Sequence, residues 1–167
     1  MSTTEEHKVD RKGWPAGPWD QEPDKIQWKT DTGLPALIVR NKLGGLCGYV
    51  AVAEGHPCYG KDYTSEYETG DDGEPDYACR KDNPVNDLRA HGGITYGNKC
   101  AGPICHIPEP GEPDDVWWLG FDCGHASDAM PGMLTHGMTA FAGSDYRGVD
   151  YVTRQCERLA VQLKEMA

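Results

Sequence analysis

The sequence predicts an α+β fold: a small, mostly antiparallel sheet packed by a C-terminal helix, with long irregular loops. Three observations predict it. Two runs rich in β-branched and apolar residues, Leu34–Arg40 and Leu46–Val52, flank a short turn. A third run, Val116–Cys123, alternates in strand fashion and carries two tryptophans. The C-terminal segment alone repeats apolar residues at helical spacing.

The first two runs read as an antiparallel hairpin closed by Asn41–Gly45. Alternation places Cys47, Tyr49 and Ala51 on one face and Leu46, Gly48, Val50 and Val52 on the other. Ile94-Thr95-Tyr96 reads as a short strand. In the tryptophan run, Trp117, Leu119, Phe121 and Cys123 form the core face. Val116, Trp118, Gly120 and Asp122 form the opposite face, which ends by offering a carboxylate to a cleft. The helix has Ser144 or Asp145 as its cap and a stripe of Val149, Val152, Cys156, Leu159 and Leu163. Cys156 in that stripe is a buried thiol.

Residues 1–30 read as an irregular N-terminal arm, too rich in Pro and Gly for a helix, pinned by Trp14, Trp19 and Trp28. Residues 31–167 read as a single α+β domain, within the size of one modest core. From Glu54 to Asp87 no periodicity survives. The acidic stretch 61–76 reads as a long surface loop, serving as a lid or partner contact or simply tolerated as an insertion.

Composition narrows the function classes. The formal charge is -11, a field that repels phosphate backbones and argues against nucleic-acid binding. A small anionic ligand in a locally positive pocket stays open, as does a basic protein partner. Mean hydropathy is -0.66, and no apolar run approaches the ~18 residues that span a membrane. Met1–Asp10 lacks the apolar centre of a signal peptide. A cytoplasmic location is therefore expected, with the seven cysteines as thiols or ligands rather than disulfides.

The residues suited to chemistry lie between His91 and Asp128. In His91-Gly92-Gly93-Ile94-Thr95 an imidazole adjoins a backbone free to bend and to approach a ligand. A His-Gly-Gly run also occurs beside oxyanion sites, but no Gly-x-Ser-x-Gly elbow accompanies it here. A surface turn is the simpler account. In Asp122-Cys123-Gly124-His125-Ala126-Ser127-Asp128 a strand ends, the chain turns, and several polar groups follow closely. His91, Asp122 and His125 are the candidate acid–base residues. Gly92, Gly93, Thr95, Trp118 and Asp128 are the candidate ligand contacts. Alternatively, Asp128 caps a short following turn and Asp122 satisfies backbone amides.

Cys100, Cys105, His106 and His125 form a candidate zinc set, although the spacing departs from the usual knuckles. Cysteine nucleophilicity at Cys105 or Cys123 has less support, because nothing nearby stabilises a thiolate.

The segments Cys47–Val52, His91–Thr95, Ile104–Trp118 and Gly120–His125 together resemble an uncharacterised family of small phage and prophage proteins. The likeness runs from about residue 34 to the final helix. It carries over no catalytic residue. It implies a setting, the cytoplasm of an infected host, where small phage proteins often antagonise a host defence protein or its nucleotide signal.

Three functional readings follow. One is a His/Asp pocket that binds or hydrolyses a small nucleotide-like ligand. Another is an acidic interaction protein that occludes a basic host surface. The third is a zinc-stabilised structural domain.

Overall fold

The computed structural model describes residues 2–3, 7–63, 67–135 and 144–167. Its elements are β1 (Ser2–Thr3), β2 (Lys25–Lys29), β3 (Pro35–Arg40), β4 (Leu46–Ala53), β5 (Tyr67–Thr69), β6 (Pro75–Arg80), β7 (Tyr96–Asn98), β8 (Val116–Asp122), α1 (Pro131–Thr135) and α2 (Val149–Met166). One sheet runs in the order β1-β2-β3-β4-β8-β7, and every pairing in it is antiparallel. The long helix α2 lies across β3 and β4. The architecture is α+β.

The β3–β4 hairpin forms because each strand has apolar side chains on both faces, and both faces are covered. Asn41 Oδ1 accepts hydrogen bonds from the Leu43 and Gly45 amides, at 2.9 and 3.0 Å, and so closes the turn. Ile38, Leu46, Val50, Val52, Leu119, Phe121 and Cys123 pack beneath α2 with Val152, Cys156, Leu159 and Leu163. Leu37, Val39, Cys47, Tyr49, Ala51, Val116 and Trp118 form a second cluster on the other face. The expected alternation in β4 and β8 is present. Gly48 sets the helix-to-sheet distance, since a Cβ there would collide with the Phe121 ring and the Cys156 sulfur. Fully burying each large side chain of this core contributes roughly 1.5–3 kcal/mol.

The arm is more ordered than its composition suggested. Residues 25–29, read as part of it, are β2 of the main sheet. Trp28 Nε1 donates to Glu157 on α2 at 2.9 Å. Trp19 packs edge-on against Tyr146. Between them lies a charge network that sequence reasoning did not find. The Arg40 side chain is wholly buried and donates to Asp24 (2.8 Å), Glu22 (3.0 Å), the Gly44 carbonyl (2.9 Å) and the Tyr146 hydroxyl (2.7 Å). Arg11 adds a further ion pair to Asp24. Burial opposes ionisation of Asp24, but hydrogen bonds from the Val9 amide, Arg11 and Arg40 prevail and hold its carboxyl below the ordinary value.

The same network starts α2. Its N-cap is Gly148, which has no capping side chain, rather than Ser144 or Asp145. Asp145 is instead held in a bridge to Asp128. The Val149 amide donates to Glu22 Oε1 at 3.0 Å, so a carboxylate from far upstream satisfies the helix's open N-terminus.

Residues 67–80 correct the expected loop. β5 and β6 pair as an antiparallel hairpin, with the Gly70 amide bonded to the Glu74 carbonyl at 2.7 Å. This hairpin packs against no other strand or helix among the described residues. Residues 64–66 of the 61–76 stretch lie outside the described residues. No helix among the described residues is long and apolar enough to cross a membrane.

Candidate functional site

The turn before β7, the end of β8 and the start of α2 meet at one point, bringing His91, Thr95, Asp122, His125 and Asp128 together. Asp128 is the anchor. Its carboxylate is fully buried and accepts from His91 Nε2 at 2.7 Å, the His125 amide at 3.0 Å and Arg147 Nε at 3.0 Å. Burial opposes its charge, yet the bonds from His91, Arg147 and the His125 amide hold its carboxyl below the ordinary range. An ionised Asp128 fixes the His91 proton on Nε2 when the ring is neutral. Nδ1 then accepts the Tyr151 hydroxyl at 2.8 Å. The Arg147 guanidinium lies 4.9 Å from the centre of the Tyr151 ring and closes the circle.

His91 therefore has both nitrogens engaged by protein. It was expected to act directly as an acid or base, but here it links Tyr151 to Asp128. His125 is placed differently. Its ring centre is 5.6 Å from that of His91, and its side chain is 36% exposed. Its Nε2 is buried with no hydrogen-bond partner among the described residues, 3.7 Å from Asp122 Oδ1. Nδ1 makes no hydrogen bond to the described residues. Asp122 is oriented by the Thr95 hydroxyl at 2.9 Å and the Gly124 amide at 3.0 Å. Gly92 lies directly against the His125 ring, with φ +68°.

Several expected contacts are corrected. Trp118 has no exposed surface and belongs to the second core cluster. Its face of the sheet is covered by the chain around Ile104 and His106, so it cannot meet a ligand. The Gly93 amide donates to the Ala90 carbonyl at 3.0 Å, which removes it as an oxyanion donor. The zinc set does not assemble. Cys100 and Cys105 are joined as a disulfide, His106 stacks edge-on against Trp118, and His125 lies beside His91. Among the described residues, no group of three or more His, Cys, Asp or Glu could hold a metal ion. Burial pushes the Cys123 thiol far up, against any nucleophilic role.

Arg147 and Tyr151 are the members that sequence reasoning missed. Their i,i+4 spacing across the start of α2 was the available signal, since it stacks a guanidinium over a ring.

No protein-family model, curated protein or solved structure matches the chain.

Proposed function

We propose that this protein binds a small nucleotide-like ligand beside His125 and Asp122 and hydrolyses it by acid–base chemistry. The observation that supports this is the contrast between the two imidazoles. His91 is locked between Tyr151 and Asp128, whereas His125 is partly exposed, with its buried Nε2 3.7 Å from an oriented carboxylate. A rigid frame beside a free acid–base group is what proton transfer to a bound ligand requires. His125 takes a proton from the attacking water as its oxygen bonds to phosphorus. The same proton returns to the leaving oxygen as the scissile bond breaks. Asp122 stabilises the imidazolium between those events. His91, Asp128, Tyr151 and Arg147 are positioning residues.

The resemblance to phage proteins supplies the setting: the host cytoplasm, with a nucleotide defence signal as the ligand. The test is incubation with a panel of mono-, cyclic and dinucleotides, followed by chromatography. At least one should be consumed, and His125→Ala should slow that reaction by roughly 10²–10⁴-fold. A panel left intact, or a folded His125→Ala variant as fast as the parent, overturns the reading.

One observation favours a second reading, occlusion of a basic host protein. The β5–β6 hairpin stands apart from the main sheet and exposes Glu68, Asp71, Asp72 and Glu74 beside Tyr77, which is 77% exposed. If this hairpin is the contact, neutralising those four carboxylates should abolish a salt-sensitive association with the partner while leaving nucleotide turnover intact.

A further inference from the structure

Among the described residues, the acid–base site carries carboxylates but no uncommitted cation. Asp122 is partly exposed, and Arg147 is engaged by Asp128 and lies 3.7 Å from Asp145. A phosphate placed there would meet negative charge. The binding energy for an anion has to come from elsewhere.

One strand away, on the second face of the sheet, a cavity of about 660 Å³ has the opposite character. Its apolar surface includes Cys47, Tyr49 and Trp14, and its rim carries Lys8, Lys12 and Lys42. All three lysines are exposed. Among the described residues, Asp10 is the one carboxylate lining it, and Arg40 at its base is already neutralised by Glu22 and Asp24. Among the described residues, three lysines against one carboxylate make this a cationic spot on a chain of net charge -11. An indole and a phenol beside ammonium groups suit a flat ring that carries an anionic group. Cys47 is the cross-strand partner of Asp122, which places one lining residue of the pocket beside one residue of the acid–base site.

We propose that this pocket binds the nucleotide, with its base against Trp14 and Tyr49 and a phosphate on Lys8, Lys12 and Lys42. The inference rests on the proposed function for the class of ligand and adds where and by which groups it is held. The cationic rim supplies the attraction that the acid–base site lacks. The acidic remainder of the surface repels long polyanions, which restricts binding to small ones.

The test uses AMP, GMP, CMP and UMP with their four nucleosides, titrated calorimetrically and by tryptophan fluorescence. At least one nucleotide should bind, and its nucleoside should bind roughly tenfold or more weakly. The triple variant Lys8→Gln, Lys12→Gln, Lys42→Gln changes only exposed positions and should lose at least as much. Trp14→Phe should remove the fluorescence change. Failure of all four nucleotides to bind, or unchanged affinity in the triple variant, overturns the pocket. Binding that depends on the lysines without turnover upholds the pocket and removes the hydrolytic reading. Turnover indifferent to the lysines does the reverse.

Discussion

The His125 ring lies flat against the backbone of Gly92, in the space a side chain would need. A Cβ at Gly92 would overlap the imidazole, and the residue sits at φ +68°, where L residues are strained. Gly92→Ala should therefore displace His125 and cost roughly 1–3 kcal/mol. Thermal denaturation reads the loss of stability, and the chemical shifts of the His125 ring protons by NMR read the change of environment. An alanine variant with unchanged stability and unchanged His125 ring shifts would show that the close approach has no role.

Asp128 gives the site a sign in its pH dependence. Its carboxyl is held below the ordinary value of 3.8, so the folded state binds its proton less readily than the unfolded chain does. The resulting stability is fully present above the unfolded value and is lost as pH falls through the folded one. Asp24 behaves in the same direction. Urea denaturation between about pH 2 and 6 should show a steep acid limb, made shallower by Asp128→Asn and separately by Asp24→Asn. At neutral pH, Asp128→Ala should cost on the order of 3 kcal/mol, because three donors then lose their acceptor. An acid limb unmoved by either variant would contradict the assignment.

The contrast between those two carboxylates shows what was legible in the sequence. Asp128 was found because it follows a strand end and a glycine turn within a few residues of His125, a pattern local enough to read. Its partner His91 was found for the same reason, but the engagement of both its nitrogens was not, since Tyr151 belongs to the helix and faces it only after folding. Asp24 and Arg40 went unread altogether. Arg40 ends an apolar strand, where a charge usually marks the exit to solvent, and its acceptors come from the arm and from Gly44 and Tyr146. The alternation of β4 and β8 was plain, but alternation does not say whether a second layer covers the outer face. That is why Trp118 was placed in a cleft and is found in the core. Between Tyr67 and Arg80, cross-strand hydrogen bonds form a hairpin without any apolar alternation to announce it.

Glu22 offers a way to separate charge pairing from helix capping. One oxygen accepts from Val149 at the start of α2, and the other faces Arg40 and the Tyr146 hydroxyl. Glu22→Gln keeps an oxygen able to cap the helix but removes the ion pair, whereas Glu22→Ala removes both. The alanine variant should be less stable than the glutamine variant by about 0.5–2 kcal/mol, the usual worth of an N-terminal cap. Chemical denaturation of the two variants measures that gap. Equal stabilities would assign the whole effect of Glu22 to Arg40 and none to α2.

The Cys100–Cys105 disulfide and the proposed cytoplasmic setting pull in opposite directions, because reducing compartments keep such pairs open. The two Cα atoms are 4.7 Å apart, within the range a disulfide spans, so the bond should close once the purified protein meets air. The remaining thiols differ sharply in access: Cys79 is exposed, while Cys47, Cys58, Cys123 and Cys156 are buried. Burial also pushes Cys47 and Cys58 up to about 11, which leaves little thiolate at neutral pH. Alkylation of the native, oxidised protein with iodoacetamide, read by peptide mass mapping, should label Cys79 alone. Adding reductant should bring in Cys100 and Cys105 and no other cysteine. The short loop limits the stabilisation, so reduction should lower stability by only about 2 kcal/mol and leave the fold intact at room temperature. Labelling of Cys100 and Cys105 without reductant would show the pair open. Labelling of Cys156 in the folded protein would mean that α2 does not stay seated on the sheet.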